Sequence, residues 1–337
     1  MKSIDPTEHF ILGQNNGDNP PGLARGCSHH PFLSVIVCTR GLRGSLEQCL
    51  MSLFAQQCKR CEVLLVLNGE ENEQFVRRFA RYPVRLFNEA RAGVCVARNR
   101  AITAARGELL CFVDDDVVVD SRWIHELIHG FEDPDVACVT GRVVLSGTVL
   151  SRETIELSYG SKNALSSWTL DSSHKNWYQT VLGPDIGFGC NMAFRKSFLE
   201  THTLFPEGLG AGAVIGAGDE SFMFFQVLKK GFRIHHSSTA VVTHLCENDP
   251  ILQRNRMKVV CSASAALHLK LLVEEPRFRL KTLKLLLRAG KRRLGRLLRG
   301  EGLFRKRNEP LSFFEKSYAE LRGIWVYCKY RSLRNCS

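Results

Sequence analysis

After residue 30 the chain alternates short apolar, β-branched runs with stretches in which apolar residues recur every three or four positions. The runs LSVIVC (33–38) and EVLLVL (62–67) read as buried strands, and between them Leu46, Leu50, Leu53 and Phe54 fall on one helical face. The spacing then predicts a helix over 71–82, a strand over 84–87, a helix over 94–105, a strand over 109–113, a helix over 123–131 and a strand over 136–140. Strands apolar enough to be buried on both faces, alternating with helices, specify an α/β fold: a mostly parallel central sheet flanked by helices. Ligands of such sheets bind beyond the carboxyl ends of the strands. That rule selects 38–40, 67–69, 88–91 and 114–116 as one rim before any motif is invoked.

The second half is less regular. Gly-rich loops at 183–189 and 208–218 surround an expected strand at 191–194, and a helix at 220–230 leads to a strand at 239–243. Flexible loops beside a fixed rim are where an acceptor would be admitted. The organisation expected is a flexible leader over 1–30, rich in Gly, Pro and Asn, one α/β domain over 31–250, and a helical basic extension over 251–337.

Composition changes this picture little, but charge and cysteines sharpen it. With 337 residues, 44% hydrophobic and 24% charged, the chain has an ordinary globular balance. Its net charge of +12 is concentrated, because 277–307 holds 13 Lys or Arg against one acid, Glu301. A local charge of that size on a neutral body implies one anionic partner surface. Residues 1–20 contain acids and no apolar core of a signal peptide, so the 13 cysteines are expected to be reduced thiols of a cytoplasmic protein. Cys58 and Cys61 form a CxxC without the second pair that a tetrahedral zinc site needs. No apolar run reaches the ~18 residues of a membrane span.

The candidate chemistry begins at Asp114, Asp115 and Asp116, directly after the strand at 109–113. Three adjacent carboxylates repel one another and are tolerated most easily beside a cation or strong donors. Mn²⁺ and Mg²⁺ take carboxylate oxygens and share the phosphates of a nucleotide. Without a cation, the same acids are a solvated turn before the next helix.

Three segments in order, SVIVCTR (34–40), AGVCVARN (92–99) and GELLCFVDDD (107–116), resemble the opening of family 2 glycosyltransferases of the bacterial non-processive type, which have the GT-A fold. The resemblance extends over about 32–250. It implies a nucleotide-diphosphate sugar as donor, with Thr39, Arg40 and Arg98 near the nucleotide and diphosphate. Guanidinium forks also match phosphate oxygens bidentately. It implies Asp114 near the ribose, Asp116 on the metal, and Asp115 in either place. The family carries a base-recognising Asp at the end of the second strand, where this chain has Leu67-Asn68-Gly69. Leu67 cannot make that hydrogen bond, so either Asn68 substitutes or the base is held otherwise.

Farther on, GFGCNMAFR (187–195) is similar to the family's segment beneath the donor sugar, with Asn191 at its centre. The segment GAGDESFMFF (216–225) is similar to its acidic helix start, and VVTH (241–244) to a strand ending in a metal-binding His244. A neutral imidazole is a fitting third ligand to an ion held by a carboxylate and phosphates. Inverting transfer needs one carboxylate to take the acceptor's proton, and a helix N-terminus favours the ionised form. The family reads Glu-Asp here and this chain reads Asp219-Glu220. Alignment selects Glu220 as the base; residue type selects Asp219.

In the basic segment, Leu280, Leu283, Leu286, Leu287, Leu294, Leu297 and Leu298 share an arc of about 120° on an ideal helix, with Lys281, Arg288, Arg292, Arg296 and Arg299 on another face. A Leu face beside an Arg/Lys face is the pattern of a helix lying on an anionic membrane. Phe278 and Phe304 are its only aromatics, which argues against nucleic acid as the partner. The expected protein is therefore an inverting, Mn²⁺- or Mg²⁺-dependent glycosyltransferase of cell-envelope polysaccharide biosynthesis. It would act on a glycan or lipid-linked acceptor, peripheral on the inner face of the cytoplasmic membrane. A sugar nucleotidyltransferase, or a catalytically inactive GT-A scaffold on the membrane, are the alternatives that the residues leave open.

Overall fold

A computed structural model describes residues 31–70, 72–146, 165–245, 250–299 and 311–335. The leader expected over 1–30 and the end of the basic segment at 300–307 lie outside the described residues. Strand β1 (Leu33–Thr39), helix α1 (Gly44–Phe54), β2 (Cys61–Asn68), α2 (Glu73–Phe79), β3 (Arg85–Glu89), α3 (Val94–Ala104) and β4 (Leu109–Asp114) follow in order. β1 pairs in parallel with both β2 and β4, and β2 with β3, so their carboxyl ends share one edge.

Side-chain alternation covers both faces of this half-sheet. Ile36, Leu64, Phe112 and the inner face of α3 enter one core; Val35, Val37, Leu65 and the inner face of α1 enter the other. The expected start of α2 at 71 moves to Glu73, because the Asn72 side chain accepts from Phe75 N at 3.1 Å and caps the helix there.

The rest of the sheet is mixed. Short β5 (Val117–Val119) precedes α4 (Trp123–His129), β6 (Val136–Leu145), β7 (Trp168–Leu170), α5 (Trp177–Val181), β8 (Asn191–Arg195), α6 (Lys196–Thr201), α7 (Asp219–Lys229) and β9 (Arg233–His244). The strand order is β3-β2-β1-β4-β8-β6-β9-β5, with β7 on β9. β8 runs antiparallel to β4 and β6, while β6 and β9 are parallel, so β9 ends at the same rim as β1 to β4. Antiparallel pairing of β5 with β9 aligns Val117 with His244 and so sets Asp116 beside that histidine.

β9 is more than twice as long as expected, because its first half, RIHHSS, is polar but still pairs with β6. β5 and β7 leave no strand pattern in the sequence. Both are three-residue strands held by their partner rather than by their own pattern.

Three long helices complete the described chain: α8 (Pro250–Glu274), α9 (Arg279–Leu298) and α10 (Phe313–Asn335), with a 3-10 turn Pro276–Phe278 between the first two. The first packs on the sheet domain, with Ala263, Ala266, Leu267 and Leu271 buried in the larger core. α10 lies close along α8. A side chain at Gly323 would overlap the Ser262 carbonyl, and Tyr327 Oη donates to Glu274 at 2.8 Å. α9 is tied to the sheet domain by a 2.6 Å hydrogen bond between Tyr178 and Thr282, and to α10 by the Arg293–Glu320 ion pair. Among the described residues no helix is long and apolar enough to cross a membrane.

Candidate active site

The rim holds two clusters joined by one arginine. Asp114, at the last position of β4, Asp116, in the turn to β5, and His244, at the end of β9, each offer a ligand atom within 4.8 Å of the others. His244 Nε2 lies 3.5 Å from Asp116 Oδ1, and Leu245 N donates to the Asp116 carbonyl at 2.7 Å, closing the β4–β5 turn against β9. Among the described residues His244 Nδ1 is buried without a hydrogen-bond partner.

This donor set fits a hard divalent cation, with two carboxylates and one imidazole converging on one point. Burial pushes the Asp114 carboxyl above its usual range; Arg98 opposes that shift and Asp116 adds to it. A cation between the carboxylates relieves the same repulsion. Asp114, expected near the ribose, lies in one group with Asp116 and His244.

Asp115 faces away. Its carboxylate accepts from Thr39 Oγ1 at 2.6 Å and lies 3.9 Å from Arg43 Nε. The Thr39 hydroxyl and the Asp115 carboxylate, both expected at the nucleotide, hold each other and fix the β1 end against the β4 end. Arg40 and Arg43 stand exposed on the loop after β1, and Arg40 has no ion pair or hydrogen bond among the described residues. Both suit a diphosphate. Arg43 is not among the residues expected from the sequence, although it sits in the TRGLRG loop (39–44) directly after the first strand.

Arg98 forms the second cluster. It is 4% exposed, on the buried face of α3. Nη1 donates to Asp219 Oδ2 at 2.6 Å, while Nη2 donates to the Gly189 carbonyl at 3.0 Å and reaches Asp114 Oδ1 at 3.4 Å. The rings of Phe205 and Phe112 lie 5.3 and 5.8 Å from its guanidinium carbon. Arg98, expected beside the diphosphate, is enclosed here by protein groups and links Asp114 to Asp219.

Asp219 and Glu220 open α7 after Gly218, whose φ of +89° is a conformation that favours glycine. Asp219 is buried and committed to Arg98. Glu220 is partly exposed, and burial together with the neighbouring Asp219 pushes its carboxyl up to about 8. The two acids thus have different environments, and Glu220 is the one not held in an ion pair with Arg98. The loop before α7 is packed tightly against this pair, for a side chain at Gly210 would press on Val94, Cys95 and Asp219.

Both expected asparagine contacts turn inward. Asn191 is fully buried: its amide nitrogen donates to the carbonyls of Arg142 and Ala240 at 3.0 and 2.9 Å, and its oxygen accepts from Trp123 Nε1 at 2.9 Å. Asn68 donates to the carbonyls of Glu89 and Arg91 at 3.2 and 2.7 Å and accepts from Gly93 N at 3.0 Å. It fastens β2 to β3 and to the start of α3.

Known proteins agree with this architecture. The model of the family "Glycosyl transferase family 2" matches residues 34–203, about half of the chain. The putative glycosyltransferase EpsH of Bacillus subtilis is 24% identical over 195 residues, 52% of this chain and 51% of its own. The glucosyl-dolichyl phosphate glucuronosyltransferase of Haloferax volcanii is 28% identical over 177 residues, 50% of this chain and 54% of its own. The chain thus spans about half the length of these relatives.

The mannosyltransferase PcManGT of Pyrobaculum calidifontis, solved with GDP-Man and Mn²⁺, superposes with a TM-score of 0.52 at 18% identity, covering 90% of this chain and 74% of its own. GalNAc-T7, solved with UDP, GalNAc and Mn²⁺, gives 0.51 at 15% identity over 76% and 55%. These likenesses establish the GT-A fold. With the family model extending over half its length, the chain belongs to glycosyl transferase family 2.

Proposed function

We propose that the protein is an inverting glycosyltransferase that moves a sugar from a nucleotide-diphosphate donor to an acceptor hydroxyl, with Glu220 as the general base. The observation that carries this reading is the split between the two neighbouring acids. Asp219 is paired with Arg98 at 2.6 Å, whereas Glu220 lies beside it with a carboxyl pushed up to about 8. A carboxylate whose proton affinity is raised toward neutral pH is better matched to taking a proton from a hydroxyl than an ordinary one. In this reading Arg98 and Asp219 are positioning residues. They hold the start of α7 in fixed relation to the rim, and Glu220 then takes the acceptor's proton as its oxygen attacks the anomeric carbon.

Asp114, Asp116 and His244 would hold Mn²⁺ or Mg²⁺, which when bound supplies charge stabilisation to the leaving diphosphate. Arg40 and Arg43 receive phosphate oxygens from the other side of the rim. The donor class is supported by family membership and by the nucleotide-bound proteins that share the fold. The acceptor is a glycan or a lipid-linked saccharide. A lipid-linked one is favoured by α9, which exposes Leu280, Leu287, Leu294 and Leu298 at 58–80% beside exposed Lys281, Lys284, Arg288 and Lys291. That pattern suits peripheral docking on an anionic membrane.

The test is hydrolysis and transfer from a panel of UDP-, GDP- and dTDP-sugars with and without Mn²⁺, by the wild type and Asp116→Ala. Donor cleavage that requires Mn²⁺ and is lost in the variant is expected. A protein that cleaves none of the donors and is thermally stabilised by none is not this enzyme.

A further inference from the structure

Among the described residues, the well-exposed large apolar side chains gather on α8, α9 and α10; elsewhere there are only Leu42, Met51, Leu165, Leu204 and Val214. The α9 face was legible in the sequence. On α10 the structure reveals a different one. Phe314, Tyr318, Leu321 and Trp325 are 65, 72, 66 and 61% exposed, and their 4-3-4 spacing sets them within about 60° of one another around the helix. The opposite face, with Ala319, Gly323 and Tyr327, is the one buried against α8. The stripe is therefore not a misplaced core face, since α10 already has its packing surface.

We propose that this stripe is a second membrane-contacting element, in which Phe314, Tyr318, Leu321 and Trp325 enter the headgroup region of an anionic bilayer. The inference rests on the membrane reading of α9. Charge chooses the occupant. The two acids of α10 both turn inward, Glu315 to Arg254 and Lys258, and Glu320 to Arg293. The outward face keeps cations alone at its border: Arg322 and Lys329 are exposed there, and the Lys329 ammonium lies 5.3 Å over the Trp325 ring.

From 250 to 337 the chain carries 22 Lys or Arg against six acids, a net +16, while the remainder sums to −4. A second copy of the same face would meet it with like charge, whereas lipid phosphates would meet it with opposite charge. Aromatic side chains with one polar edge, such as Tyr318 and Trp325, are also the type enriched where bilayer meets water. Apolar contacts and basic flanks together give the two signals that stable peripheral attachment needs.

The test uses the full chain with phosphatidylcholine–phosphatidylglycerol vesicles and with phosphatidylcholine alone. Trp123 and Trp177 are buried, so Trp325 is the best-exposed described tryptophan, and Trp325→Phe gives its share of the fluorescence by difference. The expected result is a blue shift of that share on the anionic vesicles and quenching by lipids spin-labelled near the headgroup. Trp325→Asp should weaken binding about tenfold, while donor cleavage in detergent stays unchanged. Co-sedimentation with Trp325 unshifted and unquenched overturns the proposal and leaves α9 as the sole contact. Loss of all vesicle binding by wild type with donor cleavage intact overturns both membrane readings and spares the enzyme. A concentration-dependent dimer that hides Trp325 without lipid also overturns it, in favour of a second copy.

Discussion

Arg98 Nη1 donates to Asp219 Oδ2 at 2.6 Å, with both side chains buried. The surrounding carboxylates keep Arg98 protonated against the effect of its burial. Removing one partner leaves an uncompensated interior charge. Arg98→Met should therefore cost about 3–5 kcal/mol in urea unfolding, and activity should fall with it. The double variant Arg98→Met/Asp219→Leu should regain part of that stability but none of the activity. Equal stability of the single and double variants would show that the two side chains are not coupled.

Glu220 ties activity and stability to pH in opposite directions. As a base it must be deprotonated, so kcat/KM should rise with pH along a limb near 8, following the shift of its carboxyl. For stability the sign is reversed. The folded protein binds this proton more tightly than the unfolded chain does, so the stabilisation is full below the ordinary glutamate range and fades as pH rises through about 8. Glu220→Gln should therefore raise Tm relative to wild type by a few degrees at pH 9 and by little at pH 4. Differential scanning at the two pH values reads this directly.

Asp115 should separate from Asp116 and His244 in its effect. Asp116→Asn and His244→Ala are expected to weaken Mn²⁺ binding by about 10–100-fold in titration followed by electron paramagnetic resonance. Asp115→Ala should leave Mn²⁺ affinity nearly unchanged and instead loosen the β1–β4 rim, which loses the 2.6 Å Thr39–Asp115 hydrogen bond. Equal losses from all three would contradict the arrangement.

Asn191 gives a control from the interior. Asn191→Leu leaves Trp123 Nε1 and the carbonyls of Arg142 and Ala240 without their partner. It should cost about 1–3 kcal/mol of stability, with donor KM unchanged in the folded fraction. A raised donor KM at unchanged stability would return this residue to the donor site.

The difference between Asp116 and Asn191 shows what the sequence carried. Strands such as 33–38 and 109–113 are legible because both faces are apolar, and parallel pairing then sends Thr39, Asn68 and Asp114 to one rim. The order of motifs also singles out Asp116, Asp219, Glu220 and His244 as candidates. What stayed illegible is where each polar group finds its partner. Asn68, Asn191, Thr39 and Arg98 are the residue types a ligand site uses, yet each is satisfied by groups 21 to 121 positions away, contacts that exist only after folding. The alignment of Asp116 with His244 depended on a three-residue strand, Val117–Val119, too short to leave a pattern.

In the proposed mechanism Glu220 does chemistry and not binding. The most direct measurement compares, in one preparation of Glu220→Gln, the affinity for UDP-glucose, GDP-mannose and UDP-GlcNAc with Mn²⁺ by calorimetry, and the rate of sugar transfer from whichever of them the wild type uses. Affinity within about twofold of wild type, with transfer slowed by about 10²–10⁴-fold, is the expected result. Transfer at the wild-type rate would contradict the assignment of Glu220 as the base.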